Sequence, residues 1–196
     1  MPEECPHKNE FWIGNIHVEL PGWNESYCLD SPAWLSGLRL GDCDKIRPMD
    51  LSKITDNLFI GDTPRPSDYD YLRVLGVRLV INMRFDWRPP KDKHQPPLNF
   101  LWLRTFDNPV LLIPVRSLKR GVCAALQTIR EGGKVYVHCA RGRHRGVAMG
   151  AAILIALGYE PQEAVELIKV QRPVADPDAF YIRKRIFRFA QVWSHC

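Results

Sequence analysis

The chain has 196 residues, 45% apolar and 25% charged, a composition that buries a sizeable core and excludes a disordered chain. Its formal net charge of +5 favours anionic partners but is too small a bias to imply nucleic-acid binding. The longest apolar run, residues 146–158, is shorter than the roughly 18–20 residues that span a bilayer, so no membrane span is expected.

The N-terminus (MPEECPHKNE) carries acids and no apolar stretch, which argues against a secretory signal. Phe11, Trp12, Trp23 and Trp34 make the first 50 residues too aromatic for a free tail. They are read as an extension packed on a core domain of residues 51–196. Cys5, His7, Cys28 and Cys43 match no zinc-ligand spacing, and no metal or cofactor is expected. The six cysteines (5, 28, 43, 123, 139 and 196) show no close pairing. Without an export signal they read as reduced thiols of a cytoplasmic protein.

From about residue 54 onward, strand-like and helix-like segments alternate. Residues 58–61 form a short strand. Residues 67–76 set Tyr69, Leu72 and Leu75 at helical spacing between Ser67, a candidate N-cap, and Gly76, a stop. Residues 78–83 (RLVINM) have the β-branched character of a buried strand; residues 84–97, with four prolines and several charges, predict a surface loop. Residues 98–104 (LNFLWLR) read as a second sheet strand, and 114–131 as a helix that stops at Gly132-Gly133. Residues 134–138 (KVYVH) are a third strand, and 145–157 form an almost wholly apolar, buried helix. Two more helices are expected to start near Pro161 and near Pro177. The alternation predicts an α/β fold with a central, mainly parallel sheet flanked by helices on both faces. Ligands of such sheets sit beyond the carboxyl ends of the strands. Arg84, Asp107 and Cys139 all fall at or just past predicted ends.

The segment VHCARGRHRG, residues 137–146, joins a buried strand to a buried helix through residues that cannot all be packed away. The six amides from Ala140 through Arg141, Gly142, Arg143 and His144 to Arg145 can curl into an anion-binding nest at the helix N-terminus, with Gly142 permitting positive φ. A cysteine opening that loop feels the helix dipole and nearby cations, which favour nucleophilic thiolate over thiol. Arg145 can fork onto two phosphate oxygens. The bland reading of Cys139 is a small buried hydrophobe. For Arg141, Arg143 and His144 it is a solvated face, set against selection of a multiply phosphorylated substrate. His138 is expected to hydrogen-bond the loop backbone rather than to move protons.

His138-Cys139, five intervening residues and Arg145 resemble the signature of the protein tyrosine and dual-specificity phosphatases. ITDNLFIG at 54–61 is similar to that family's opening strand, VIN at 80–82 to its second, and QRPVADP at 171–177 to its segment after the signature helix. The resemblance spans about residues 50–192 and implies a dual-specificity-phosphatase-like fold, with a phosphate-cradling P-loop and a phosphocysteine intermediate. The loop is also similar to that of plant and fungal atypical members, which cleave inositol pyrophosphates.

Transfer of a phosphoryl group to a thiolate needs a proton for the leaving oxygen and later a base for water. Asp107, 32 residues before Cys139 in a loop broken by Asn108-Pro109, is the candidate for both, and the family places its acid similarly. Asp86 is the main rival and Asp62 a distant third. The family usually has Ser or Thr after the arginine; here stands Gly146, which suggests slower breakdown of the intermediate. In the loop 84–97, Arg84, Arg88, Lys91, Lys93 and His94 with Phe85 and Trp87 are either a solvated face or a wall that recognises anions, with Arg84, which ends a strand, set apart as a substrate contact. The leading expectation is a cysteine-dependent phosphatase acting on phosphotyrosine or dual-specificity protein substrates. Inositol phosphates or pyrophosphates come second. A phospho-binding module without turnover and a sulfur-transfer or arsenate-reducing enzyme are the remaining alternatives. A disulfide between oxidised Cys139 and Cys123 or Cys43 is a chemically reasonable protective state.

Overall fold

Two strand-favouring runs, Val77–Arg84 and Lys134–His138, lie side by side at the centre of a five-stranded sheet. The computed structural model describes residues 10–13, 16–19 and 49–193, which divide between two units, Met1–Pro48 and Met49–Cys196. In the first unit β1 (Glu10–Ile13) and β2 (Ile16–Glu19) pair antiparallel, from Glu10 opposite Glu19 to Ile13 opposite Ile16. The expected packing of the tryptophans and the ligand potential of Cys5, His7, Cys28 and Cys43 lie outside the described residues.

In the second unit β3 (Leu51–Thr55) and β4 (Leu58–Gly61) form a hairpin, followed by β5 (Val77–Arg84), β6 (Asn99–Thr105) and β7 (Lys134–His138). The order is β3-β4-β7-β5-β6; β4, β7, β5 and β6 run parallel and β3 antiparallel. Strand alternation sends Leu58, Ile60, Leu79, Ile81, Val135 and Val137 to one face. There they join a core cluster with helices α2 (Val115–Arg130), α3 (Arg145–Ala156), α4 (Pro161–Gln171) and α5 (Phe180–Val192). Phe59, Val80 and Tyr136 between them are also buried, toward the opposite face. That face is met by α1 (Tyr69–Val74), whose Tyr69 ring lies 5.2 Å from that of Phe100. A sheet covered on both faces explains why its strands read as nearly unbroken apolar runs.

Three expectations need correction. Ser67 does not cap the first helix: it sits within a 3-10 turn, Pro66–Asp68, where the Asp68 carboxylate accepts from the Arg65 amide at 2.7 Å. Proline at 64 and 66 holds this stretch out of the helix. The last helix begins at Phe180 rather than near Pro177, because Asp176 Oδ1 accepts from the Ala179 amide and closes a turn first. Cys123, on α2, is disulfide-bonded, so the six cysteines are not all reduced. With Cys139 free, no cysteine near Cys123 in sequence remains to pair with it, and spacing held no signal. The same fact leaves Cys123 unavailable as the partner of an oxidised Cys139. No described helix is long and apolar enough to cross a membrane.

Candidate active site

β7 ends at His138 and α3 begins at Arg145, so the loop 139–144 emerges at the carboxyl edge of the central strand. The amides of residues 140–144 donate to no acceptor among the described residues, as an oxyanion nest requires. Gly142 at φ +59° turns this loop. A Cβ there would stand 2.5 Å from Gly61 O and 2.7 Å from Arg172 Nη2, so the position takes glycine alone. Cys139 is 2% exposed at the bottom of the loop, and its thiol is free.

Arg145 is 7% exposed and anchored from behind. Its Nη1 donates to Thr105 O at 2.9 Å and Met83 O at 3.3 Å, while Nε is buried without a hydrogen-bond acceptor. Two strand-end carbonyls thus fix the plane of the guanidinium and leave its Nε edge for an oxyanion. Asp107 Oδ2 lies 3.6 Å from that Nε, which brings the candidate acid to the rim of the same seat.

Asp107 is held from two further sides. Tyr181, on α5, donates its phenol to Oδ1 at 2.8 Å, and His144 Nδ1 lies 3.3 Å from Oδ2. Burial, and then this hydrogen bond, raise the Tyr181 pKa, so the phenol keeps its proton and donates. The rival Asp86 is committed elsewhere: its carboxylate accepts from Arg84 Nε and Nη2, and that hydrogen bonding holds its pKa at about 2. Arg84 Nη1 also donates to Thr63 Oγ1 at 3.0 Å, and Thr63 in turn donates to Cys139 O at 2.9 Å. Arg84 therefore reaches the nucleophile's backbone through Thr63, and its pKa is raised first by the hydrogen bond to Asp86. The Asp62 carbonyl accepts from Tyr136 Oη at 2.5 Å.

His138 is fully buried, and burial holds its pKa at about 3, so the ring is neutral. Its Nδ1 lies 3.4 Å from Cys139 O. A carbonyl only accepts, so Nδ1 carries the proton and Nε2, buried without a partner, is bare. The ring is clasped between Tyr136 and Trp87.

The cations beyond the nest have different fates. Arg143 pairs with Asp176 at 3.3 Å while its carbonyl accepts from the Asp176 amide, and His144 faces both Asp107 and Asp176. His144 is partly buried between these acids, whereas Arg143 makes its pair at the exposed surface. Arg141 is exposed and has no ion pair among the described residues. In the loop 84–97, Asp92 accepts from the amides of Leu98 and His94 and pairs with Arg73, which pins the loop down. Phe85 and Phe106, neighbours of Arg84 and Asp107, stack at 4.2 Å with both rings close to half exposed.

Sequence reasoning missed the residue beneath the loop. Arg172 is 1% exposed; Nε donates to Gly142 O at 2.8 Å and Nη2 to Arg141 O at 3.1 Å, while Asp50 takes both Nη atoms at 2.9–3.0 Å. By holding two loop carbonyls inward it turns the loop amides outward. Its signal was the lone arginine after the apolar face of α4, within the QRP segment. Asn82, also buried, returns the chain after β5 by donating to Trp87 O and accepting from the Arg84 amide, both at 2.8 Å. Tyr181 and Thr63 carried no sequence signal.

No family model matches the chain. Human dual specificity phosphatase 28 is 30% identical over 135 residues, covering 67% of this chain and 73% of that protein. Rat phosphatidylglycerophosphatase and protein-tyrosine phosphatase 1 is 38% identical over 100 residues, 47% of this chain and 51% of that protein. A mouse putative dual specificity phosphatase, crystallised with zinc tungstate, superposes with a TM-score of 0.67 at 25% identity, over 74% of this chain and 89% of that one.

Proposed function

The chain belongs to the dual-specificity phosphatase family, and from that premise we propose that it hydrolyses phosphomonoesters through a phosphocysteine on Cys139. The observation that carries this reading is the free thiol at the base of a loop of undonated amides, which leads into a buried arginine whose Nε makes no hydrogen bond and lies 3.6 Å from Asp107. Cys139 Sγ attacks phosphorus as the P–O bond to the leaving group breaks. Arg145 and the amides of Ala140 to Arg145 hold the equatorial oxygens, and Asp107 gives its proton to the departing oxygen. Water then attacks phosphorus as the S–P bond breaks, Asp107 takes the water's proton, and inorganic phosphate and thiolate are released. His138 orients the Cys139 carbonyl and moves no proton. None of these steps calls for a metal, and activity is expected to persist in EDTA.

Protein phosphotyrosine and dual-specificity substrates suit the rim better than inositol polyphosphates. The stacked, partly exposed Phe85 and Phe106 offer an apolar wall for an aryl or peptide group. Of the loop's extra basic residues, Arg143 and His144 already face carboxylates, which leaves Arg141 and a shared Arg84 for further phosphates. The small-phosphate reading draws support from the rat relative, whose name assigns it a phospholipid substrate. Comparison of kcat/KM for tyrosine phosphopeptides and inositol polyphosphates on one enzyme preparation tests the choice. A clear preference for the inositol compounds would reverse it. A cytoplasmic location belongs to the same proposal, with the Cys123 disulfide weighing against it.

A further inference from the structure

Away from the Cys139 loop, the outer edge of the sheet holds a second concentration of arginine. β6 closes the strand order and pairs with β5 alone among the described residues. Beside it Trp102, Leu103 and Arg104 from β6, with Arg116, Ser117 and Arg120 from the start of α2, line a cleft of about 420 Å³. None of the three arginines, all exposed, has a carboxylate or hydrogen-bond partner among the described residues. The Arg104 guanidinium lies over the Trp102 ring, 4.2 Å from its centroid, which fixes its plane without neutralising its charge. Arg116 and Arg120 stand at i, i+4 on α2, a spacing at which like charges destabilise a helix. The first turn of α2 holds no acid and its N-cap, Pro114, supplies no side-chain acceptor, so the positive end of the helix adds to theirs. The background is basic as well: 23 of the 27 Lys and Arg but 14 of the 22 Asp and Glu fall in residues 49–196, a net charge of +9.

We propose that this cleft docks an extended acidic or phosphorylated segment of a protein substrate along the edge of β6. An open strand edge supplies backbone hydrogen-bond partners to such a segment, and forked guanidiniums donate in pairs to carboxylate or phosphate. The site lies at the root of the loop that bears Asp107: Arg104 precedes that loop on β6 and Arg116 follows it on α2. A docked segment is thereby held by the same span of chain that carries the proposed acid. A cleft beside a strand edge fits a peptide better than it fits a lipid surface. That the bound protein is a substrate rests on the phosphatase reading; that the cleft binds an acidic peptide does not.

The test takes the full chain carrying Cys139→Ser, so turnover plays no part, and measures fluorescence anisotropy with a phosphate-free, glutamate-rich peptide and a neutral one of equal length. The acidic peptide is expected to bind and to weaken with salt. In the variant that adds R104A, R116A and R120A, its affinity is expected to fall at least about tenfold, the loss that one charge-assisted hydrogen bond accounts for. With Cys139 intact, the three substitutions are expected to raise KM for an acid-flanked phosphopeptide while p-nitrophenyl phosphate hydrolysis stays unchanged. Equal binding of the acidic peptide by both proteins overturns the proposal, and so does arginine-dependent binding to phosphatidylserine vesicles without peptide binding. Failure to hydrolyse p-nitrophenyl phosphate defeats the phosphatase reading and leaves the peptide result to stand or fall alone.

Discussion

The phenol of Tyr181 donates to Oδ1 of Asp107 across 2.8 Å, tying α5 to the loop that bears the proposed acid. A hydrogen bond to a neutral carboxyl contributes about 0.5–1.5 kcal/mol, or roughly 2- to 10-fold when it positions a group for reaction. Tyr181→Phe is therefore expected to slow hydrolysis of alkyl phosphates, whose leaving oxygen needs a proton, by up to ~10-fold. Aryl phosphates with acidic leaving groups are expected to be nearly unaffected. Equal losses on both substrate types would assign Tyr181 a purely structural role.

Arg172→Ala removes a buried cation and leaves two loop carbonyls without their donor, while the partly exposed Asp50 carboxylate turns to solvent. Leaving such buried carbonyls without a donor costs about 1–3 kcal/mol. Urea denaturation is expected to show that loss, and tungstate binding to weaken with it. Arg172→Lys is expected to recover only part of both, because an ammonium lacks the fork that spans Asp50 and Gly142 O. Full recovery by lysine would contradict the role given to the guanidinium.

Much of this layout was legible in the sequence. The strands 78–83 and 134–138, the buried helix after Arg145 and the loop between them follow from runs of one residue character, which local chemistry fixes. β3 escaped notice because its five residues form a half-buried edge without a strong apolar run. The long-range ties did not show. Arg172 reaches Asp50 across 122 residues and Tyr181 reaches Asp107 across 74, and no local pattern encodes such pairings. The same holds for the loop cations: Arg143 and His144 look free in sequence, yet folding brings Asp176 to both.

His138 links stability to pH. The unfolded chain takes up a proton at its imidazole near pH 6.5, whereas burial makes the folded protein refuse it until about pH 3. The unfolded state thus binds more protons between those values, and stability contributed by the neutral ring falls as pH drops below about 6.5, by up to ~1.4 kcal/mol per unit. Urea midpoints measured from pH 7 to 5 are expected to decline more steeply for the natural protein than for His138→Gln. Parallel slopes would show that His138 is not held neutral.

Gly146 leaves room for a hydroxyl-bearing side chain. A Cβ at this position would come no closer than 3.5 Å to Cys139 N, an ordinary contact. Gly146→Ser is expected to accelerate breakdown of the phosphocysteine, visible in rapid mixing as a smaller burst of leaving group and a faster steady state. An unchanged steady-state rate with a resolved burst would place the slow step elsewhere.

Acid quenching of a single turnover with a radiolabelled aryl phosphate, followed by peptide mapping, bears most directly on the whole account. The label is expected on Cys139 in the natural protein and absent from the Cys139→Ser variant, which should still bind tungstate. Label on another residue, or undiminished hydrolysis by Cys139→Ser, would contradict it.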